Sequence, residues 1–274
     1  MTKKRDAQTK TVAVKTNSAP NLNISKFGIV ARDYRDVFEN GYRDFSYALP
    51  DILELLDEKG CDAVLFSLFS IIPRHGYIQS AYFNNLANIK AVFLEEFKDG
   101  SEREAERYVV HYRSSAGWKE YCFYQIFATI TGMSQSKIKD FVKKEVPNRI
   151  LGNCCVLICG ETNGVKYSKA DKRVQDTYGL RDSIPKDVNI ILNPIHDRMT
   201  RFEMKLKREY LSQNNRLVIS VWNKGKQDKN GKVRDGINPP WTIFYNGKEK
   251  DVNRISNDLG VEISVFDSKM VGNQ

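Results

Sequence analysis

The feature that most constrains the fold is a succession of short apolar runs that alternate along the chain with helical segments. The clearest runs are rich in β-branched and aromatic residues, and they cover Asp62–Phe69, Cys154–Cys159, Val188–Asn193 and Leu217–Trp222. Runs of this length that are apolar on both faces are typical of strands in a sheet buried on both sides. Their alternation with helices therefore predicts an α/β protein with helical layers outside the sheet.

The segments between these runs carry the apolar spacing and the boundary residues of helices. In Phe45–Lys59 apolar residues recur at helical intervals until Gly60, and Met199–Gln213 is a charged amphipathic stretch. Further helices are predicted at Ser80–Ile89, Ser136–Lys144 and Lys169–Tyr178. Since no repeat or Gly/Pro-rich linker interrupts the chain after residue 22, we expect one domain over 23–274, preceded by a disordered basic arm over 1–22.

Composition narrows the class of protein. Of the 274 residues, 41% are hydrophobic and 28% are charged, which is ordinary for globular domains and excludes a disordered chain, a collagen or a coiled coil. The longest nearly apolar run, Ala63–Ile72, is about half as long as a membrane-spanning helix. The five cysteines are odd in number, form no CxxC pair and follow no secretion signal, so we expect reduced thiols, a cytoplasmic location and no structural zinc.

Positive charge is concentrated in two stretches of a chain whose formal net charge is +9. Residues 1–22 hold five basic side chains and one acidic one, and residues 196–234 hold eleven basic and four acidic ones. Such clusters fit either a solvated tail and helix or a surface that binds nucleic acid or another polyanion. A nucleic-acid or protein partner therefore stays open, although no zinc finger, helix-turn-helix or aromatic RNA-binding motif accompanies the charge.

The end of the Cys154–Cys159 run is the most informative position for function. A buried strand that ends at Cys159 and is followed by Gly160 predicts a sharp turn, which exposes a nucleophile beside backbone N–H groups able to bind an oxyanion. Alternation along the strand places Cys155 and Cys159 on one face and Cys154 on the other. The alternative is that these cysteines are small core residues, which we prefer for Cys154 and Cys155 and leave open for Cys159.

This part of the chain resembles the nitrilase, or carbon–nitrogen hydrolase, superfamily. The sequence Cys159-Gly160-Glu161 is similar to that family's Cys-x-Glu motif at a strand end, and the resemblance extends from about Lys26 to about Asn246. It implies an α-β-β-α sandwich, with a homodimer as a further expectation, that hydrolyses nitriles, amides or carbamoyl groups through a thioester without a metal or an organic cofactor. The other matching segments are Asp51–Phe69, Lys186–Pro194 and Arg208–Trp222.

Two positions depart from the family's catalytic set of a Cys nucleophile, a Glu base and a Lys that stabilises the tetrahedral intermediate. Leu68 stands where the resemblance places the Glu, and Gln125 stands where it places the Lys. A leucine accepts no proton and a glutamine supplies no positive charge, so their presence predicts a rate lower by orders of magnitude. The candidate catalytic replacements are Lys119, Glu120 and Glu161.

Three further side chains are predicted to line a substrate pocket, namely Asn163, His196 and Trp222. His196 follows Pro194 at the end of one strand, and Trp222 ends the next, so that both face the edge where the resemblance places the pocket. The alternative for these two residues is that they anchor and pack loops.

The leading hypothesis is a nitrilase-like hydrolase that acts on a small amide or nitrile-like substrate with Cys159 as nucleophile. The first alternative is a catalytically impaired module of the same fold that binds nucleic acid or a protein partner through its basic surface. A nuclease is the second alternative, because Asp62 and the later Glu96-Phe97-Lys98 fit two strands that hold Mg²⁺ and a water. The simpler interpretation of Glu95 and Glu96 is a solvated strand end.

Overall fold

A computed structural model describes residues 18–33, 44–71, 80–97, 105–128, 130, 133–197, 202–225, 230–233 and 238–271. The strands in chain order are β1 (Lys26–Arg32), β2 (Ala63–Phe66), β3 (Ala91–Phe97), β4 (Ala105–Ser114), β5 (Gly117–Phe123), β6 (Ile150–Leu151), β7 (Cys154–Val156), β8 (Lys166–Ser168), β9 (Arg173–Gln175), β10 (Ile190–Asp197), β11 (Leu217–Asn223), β12 (Trp241–Tyr245), β13 (Lys248–Lys250), β14 (Arg254–Ile255) and β15 (Val261–Asp267). The α-helices are α1 (Leu49–Glu58), α2 (Gln135–Asp140), α3 (Leu180–Ser183) and α4 (Phe202–Leu211). Shorter helical turns are Ser80–Phe83, Phe141–Glu145, Val146–Arg149, Cys159–Gly164 and Ser268–Met270.

Two mixed sheets account for nearly all of these strands. The first sheet has the order β14-β15-β1-β2-β3-β4-β5, and the second has the order β13-β12-β11-β10-β7-β6. At the centre of the first sheet β1, β2 and β3 are parallel, and at the centre of the second β7, β10 and β11 are parallel. Parallel neighbours need crossover connections, and these carry helices to the outer faces of both sheets.

The two sheets pack face to face around a shared apolar core. Phe27, Leu65 and Phe93 project into it from the first sheet, and Val156 and Leu192 project from the second. On the outer face of the first sheet α1 covers the alternate strand residues, and on the outer face of the second sheet α4 and the 141–145 turn do the same. The layers are therefore helix, sheet, sheet and helix, which confirms the predicted α-β-β-α sandwich.

The carboxyl ends of the parallel strands from both sheets meet at one edge of the sandwich. The Leu68 N–H, just after β2, donates to the Ile195 carbonyl on β10 at 3.2 Å. The Asn223 side chain at the end of β11 donates to the Leu68 carbonyl at 2.7 Å and accepts from the Ser67 hydroxyl at 2.6 Å. These bonds tie the two sheets together at the edge that carries the candidate site.

Two of the predicted helices differ from the structure. Lys169–Tyr178 contains β9 and the turn of the β8–β9 hairpin, with Lys172 in the left-handed region at a φ of 50°. Ala170, Val174 and Tyr178 recur at helical spacing, but Val174 and Tyr178 pack against the core from a hairpin strand and a turn instead of from a helix. The Ser80–Ile89 prediction is reduced to a single helical turn at Ser80–Phe83. Among the described residues, no helix has the length and apolar character that crossing a bilayer requires.

The predicted arm over 1–22 differs from the structure at its carboxyl end. Residues 1–17 lie outside the described residues, but Leu22 is only 7% exposed and belongs to the core between the sheets. Its carbonyl accepts from the Asn153 N–H at 3.0 Å, and a Cβ on Gly152, where φ is +67°, would lie 1.9 Å from that same oxygen. The packed domain therefore begins before residue 23.

Candidate active site

Cys159 lies at a strained turn directly after the second sheet's β7 and its extension. The Leu157 N–H still pairs with the Leu192 carbonyl at 2.9 Å, and Cys159 then opens the Cys159–Gly164 turn with a φ of +44°. A left-handed conformation costs a non-glycine residue about 1–3 kcal/mol, and such residues cluster at active sites. The strain turns the Cys159 side chain out of the regular alternation of the strand.

Gly160 allows this turn to pack against the loop after β5. A Cβ at residue 160 would lie 1.6 Å from the Ala128 carbonyl oxygen and 2.3 Å from its carbon. No side chain fits in that space, so the backbone of Ala128 and the turn are in direct contact. The Asn193 side chain holds the turn from the other side, because its amide donates to the Leu157 carbonyl at 2.6 Å and to the Cys159 carbonyl at 3.3 Å.

Cys159 differs from its neighbours in burial and in polar contacts. Cys154 and Cys155 are fully buried, and burial raises the pKa of Cys155 to about 12. Cys159 is only partly buried, and it lies near enough to His196 to contribute to the raised pKa of that ring. The prediction that Cys154 and Cys155 are core residues agrees with their place in the two cores.

His196 stands between the thiol and a buried carboxylate. Its Nε2 lies 3.1 Å from Oε2 of Glu95, which projects inward from β3 of the first sheet. The His196 side chain is 21% exposed and that of Glu95 only 3%. Burial lowers the pKa of His196, but its hydrogen bonds to Cys159 and Glu95 and their charges outweigh that effect and raise it to about 9.

The loop after β2 closes over this pair. Phe69, left-handed at a φ of +57°, donates its N–H to Glu95 Oε2 at 2.8 Å, and its ring lies 3.9 Å from the His196 ring, centroid to centroid. The Ser70 hydroxyl accepts from the Glu95 N–H at 3.1 Å, and Phe97 stacks on Phe69 at 4.7 Å. These contacts hold both the carboxylate and the imidazole in one orientation.

Glu161, predicted as a catalytic group, instead holds the backbone of the turn. Its carboxylate is fully buried and accepts four hydrogen bonds, two from the Arg149 guanidinium at 2.9 and 3.1 Å and one each from the Ile126 and Ile158 N–H groups at 2.8 Å. Burial raises the pKa of Glu161, against the guanidinium and the two N–H donors, which lower it. With its oxygens committed to these donors, the carboxylate does not serve as a base for the thiol.

Lys119 and Glu120 lie on the edge strand β5, away from Cys159. Lys119 pairs with Tyr112 on β4, and Tyr112 pairs with Ala91 at the start of β3. Ala91 lies four residues before Glu95, so Lys119 is displaced from the level of Glu95 by roughly 13 Å along the strands. Glu120 projects from the outer face of the sheet, where it binds Arg107 at 3.2 Å. The structure therefore contradicts the prediction that these two replace the missing groups.

Asn163 and Trp222 also differ from their prediction as pocket residues. Asn163 ends the turn, where its amide oxygen accepts from Lys207 at 2.7 Å and its nitrogen donates to the Ala128 carbonyl at 3.4 Å. Trp222 is 2% exposed, and the guanidinium carbon of Arg208 lies 5.4 Å from its ring centroid, under α4. Both side chains pack on the outer side of the second sheet. For Trp222 this agrees with the alternative prediction, that the residue packs against its surroundings and does not bind substrate.

Leu68 and Gln125, the two departures from the family's catalytic set, have surroundings that suit their own uncharged side chains. Leu68 is fully buried in the core between the sheets, so an apolar side chain fills the place of the expected Glu. Gln125 donates from its side-chain nitrogen to the Phe127 carbonyl at 3.0 Å and stabilises its own loop. Neither residue contributes a charge to the site.

Asp62 and Glu96, two residues of the predicted nuclease pattern, do not lie together. The Asp62 carboxylate lies before β2, where it accepts from the Ser25 and Lys26 N–H groups, whereas Glu96 lies at the far end of β3 and binds Arg107 at 2.6 Å. Lys98 lies outside the described residues. In the described ranges, no group of three or more His, Cys, Asp or Glu side chains is arranged to hold a metal ion.

Glu95 is the site residue that sequence reasoning missed. It was interpreted with Glu96 as a solvated strand end, but the two are 3% and 1% exposed. The usable signal was alternation along β3: Glu95 shares the inward face with Phe93, and Glu96 shares the outward face with Leu94. A carboxylate on the inward face at the carboxyl end of a parallel strand is a candidate for the site.

A cavity of about 570 Å³ lies beside the turn but does not include the thiol. It is bounded by Ile126, Phe127 and Ala128 on one side and by the segment 133–145, including Phe141, on the other. Ala128 is the residue that the cavity and the contact with Gly160 have in common.

No family model matches the chain. No curated protein matches it. Among solved structures, a double mutant of the amidase from Nesterenkonia sp. AN1 in complex with acrylamide matches over 93% of this chain and 92% of its own, with 11% identity and a TM-score of 0.46.

Two further structures of the same Nesterenkonia amidase are similar to the chain. One shows covalent addition of the acetamide moiety of fluoroacetamide at the active site cysteine, and it matches with 10% identity, a TM-score of 0.42 and coverage of 92% of this chain and 94% of that one. The other is described as an amidase from the nitrilase superfamily and matches with 10% identity, a TM-score of 0.41 and coverage of 94% and 97%.

Proposed function

We propose that this protein is a cysteine-dependent hydrolase of amide-type carbon–nitrogen bonds, with Cys159 as the nucleophile. The observation that carries the proposal is the position of Cys159, at a strained strand-end turn whose carbonyl accepts from the Asn193 side chain on β10, the strand that also carries His196. A thiol becomes an effective nucleophile when a base is adjacent to it. Among the cysteines, Cys154 and Cys155 are fully buried, so Cys159 is the one whose surroundings fit this chemistry.

The reaction has two stages. In the first, the sulfur adds to the acyl carbon and forms a C–S bond, the C–N bond then breaks, and the amine leaves with the proton that the thiol has given up. In the second, water adds to the thioester, the C–S bond breaks, and the carboxylic acid leaves while the sulfur regains a proton. The sum is amide plus water giving acid plus amine, and no redox partner is required.

The alternative is a binding module of the same fold without activity. It is favoured by Leu68 and Gln125, which occupy the expected positions of the Glu and the Lys. In this alternative the basic stretches, in particular 196–234, contact nucleic acid or a protein partner. A steep fall in nucleic-acid affinity with rising salt, in a protein that shows no acylation, would support it.

Acylation of Cys159 is the direct test. The protein is incubated with a panel of short aliphatic amides and the corresponding activated esters, quenched in acid and analysed by intact mass and peptide mapping. We expect an acyl adduct on Cys159 and release of ammonia, both absent in Cys159→Ala. The matched control is Cys122→Ala, because Cys122 is an exposed thiol on β5 that the mechanism does not use.

Alkylation provides a second measurement that does not depend on the choice of substrate. Iodoacetamide at pH 7 should modify Cys159 at least ten times faster than it modifies free N-acetylcysteine, because an adjacent base makes a thiol a better nucleophile. Cys122 is not the reference here, since burial raises its own pKa to about 11. A Cys159 rate no higher than that of N-acetylcysteine, together with no acyl adduct from any amide or ester, would refute the proposed function.

A further inference from the structure

We propose that His196 is the proton acceptor and donor of this reaction and that Glu95 positions it, so that Cys159, His196 and Glu95 act together as a Cys-His-Glu triad. This inference rests on the proposed function and adds to it the residues that move the proton. It assigns to His196 a role in catalysis, where the sequence suggested a substrate contact or a loop anchor, and it assigns a role to Glu95, which the sequence did not suggest.

The geometry brings the three residues together at one edge of the sandwich. The Asn193 side chain on β10 donates to the Cys159 carbonyl at 3.3 Å, and His196, near the end of the same strand, has its Nε2 3.1 Å from Glu95 Oε2. The three residues come from three separate elements, namely the turn after β7, the end of β10 and the end of β3. A nucleophile, a base in contact with it and a third group that orients the base are the recurring parts of such sites on unrelated folds.

The contact with Glu95 fixes which nitrogen does which task. A ring nitrogen makes one in-plane hydrogen bond, so with Nε2 facing the carboxylate, Nδ1 is the nitrogen left to exchange a proton with the sulfur. A carboxylate accepts only, and therefore Nε2 carries the proton and the neutral ring presents a lone pair at Nδ1. This is the tautomer that can take the proton from the Cys159 thiol; the raised pKa of His196, to which the charge of Cys159 contributes, is that of the ring once the proton has been transferred.

The burial of Glu95 helps to hold the His196 ring in one orientation. Glu95 is a buried carboxylate, and an ionised group in that position requires a partner of opposite charge or several hydrogen bonds. It accepts from the Phe69 N–H at 2.8 Å, and the remaining partner is the His196 ring. Among the described residues, Glu95 and Cys159 are the groups whose charges favour the protonated ring, and His196 has a raised pKa in consequence.

Proton transfer can be followed atom by atom. The Cys159 S–H bond breaks as its proton passes to Nδ1, and the sulfur electron pair forms the C–S bond to the acyl carbon. The imidazolium then gives the same proton to the leaving nitrogen as the C–N bond breaks. In the second stage Nδ1 takes a proton from the attacking water and returns it to the sulfur when the C–S bond breaks.

The triad also explains how the site tolerates Leu68 and Gln125. A base beside the thiol is supplied by the second sheet rather than by the residue after β2, where Leu68 fills the core. The positive charge near the reacting atoms is that of the imidazolium during the reaction, so the place of Gln125 is not needed for it. The two substitutions then accompany a relocated base and do not by themselves imply an inactive protein.

The test uses the pH profile of Cys159 alkylation in the full-length protein and in the variants His196→Asn and Glu95→Gln. The wild-type rate should stay high down to about pH 6, whereas His196→Asn should lose at least ten-fold at pH 6.5 and follow the profile of an ordinary thiol, meeting the wild type above pH 9. Glu95→Gln should shift the acid limb upward without abolishing it, since Glu95 acts through His196. Glu95→Asp, which keeps the carboxylate, should recover part of that shift.

Matched controls come from the outer face of the same sheet. His111→Asn removes another buried histidine, and Glu120→Gln removes another carboxylate, and neither should change the profile. Circular dichroism melts show whether each variant is folded, and a folded His196→Asn is required for the comparison; His196→Gln is the second variant if the first unfolds. Amide turnover at pH 7 should fall by about 100-fold or more in His196→Asn.

The outcomes separate this inference from the proposed function. If folded His196→Asn and His196→Gln alkylate and acylate Cys159 at wild-type rates, the triad is wrong and the thiol hydrolase stands. If the wild type itself forms no acyl adduct and labels Cys159 no faster than free N-acetylcysteine, both are wrong. If His196→Asn loses the rate but Glu95→Gln has an unchanged profile, the positioning role of Glu95 is refuted.

Discussion

Replacing Glu161 by glutamine should destabilise the protein strongly, because this carboxylate holds together the turn that carries Cys159. The substitution keeps the shape of the side chain but turns one acceptor oxygen into an NH₂ donor. That NH₂ faces one of the N–H donors of Ile126, Ile158 or Arg149. It also leaves the guanidinium of Arg149, whose side chain is 1% exposed, without its anionic partner.

The magnitude follows from the burial of the pair. Removing one partner of a fully buried ion pair typically costs about 3–5 kcal/mol, whereas exposed pairs are worth about 0–1 kcal/mol. Arg149 keeps a hydrogen bond to the Tyr124 carbonyl and a position over the Phe123 ring at 4.4 Å, so its charge is not wholly unsupported. We therefore expect a loss of about 3 kcal/mol in the free energy of unfolding.

The assay is urea unfolding of wild type, Glu161→Gln, Arg149→Met and the double variant, followed by circular dichroism. The double variant should lose less than the sum of the single losses, because it leaves no uncompensated charge behind. Asp140→Asn is the matched control, since it removes the exposed 3.0 Å pair with Lys144 and should cost under about 0.5 kcal/mol. A Glu161→Gln loss below about 1 kcal/mol at unchanged m-value, together with a loss of acylation, would refute the structural role and restore a catalytic one.

Three further outcomes follow from the geometry of the site. Gly160→Ala forces a Cβ onto the Ala128 backbone and should cost about 3 kcal/mol in thermal or urea unfolding and abolish fast thiol alkylation; full retention of both would contradict the close contact. Lys119→Ala should leave amide turnover within about two-fold of wild type, since that residue is exposed and far along its strand. The raised pKa of His196, about 9 against 6.5, stabilises the native state below pH 6.5 and ceases to do so as pH rises through 9. Unfolding titrations should therefore show Glu95→Gln destabilised by at most about 3 kcal/mol near pH 6 and by much less at pH 9.5, and a pH-independent difference would count against the pair.

The layered fold could be predicted from the sequence because the signal lies in long stretches of uniform chemistry. The strands Leu217–Asn223 and Ile190–Asp197 overlap the predicted apolar runs and extend beyond their carboxyl ends, and Leu49–Glu58 is a helix whose apolar residues keep a helical spacing. Lys169–Tyr178 was wrong because the helical spacing of its few apolar residues is overridden by the pairing of β9 with β8, in a hairpin that packs against α4. The strand Val261–Asp267, which pairs along the full length of β1, was not predicted.

The site was harder to predict than the fold, because its parts are far apart in sequence. Cys159 could be found, since a strand end and a following glycine are local features. The partnership of His196 with Glu95 spans 101 residues and two different sheets, so no spacing rule contains it. Glu161 was misassigned for the same reason: its proximity to Cys159 in sequence suggested chemistry, whereas its partner Arg149 lies buried on the opposite side of the turn.

The triad exists only where the two sheets are packed against each other. Cys159 and His196 belong to the second sheet, Glu95 belongs to the first, and the bridging bonds at Leu68 and Asn223 join the sheets at that edge. Left-handed residues stand on both sides of the junction, Cys159 on one sheet and Phe69 on the other, and such strain persists only when the surrounding packing over-determines it. A local separation of the sheets would relieve both strained residues and remove the carboxylate from the imidazole. The reactivity of Cys159 should therefore fall as soon as the two sheets separate at this edge, before the strands themselves unfold.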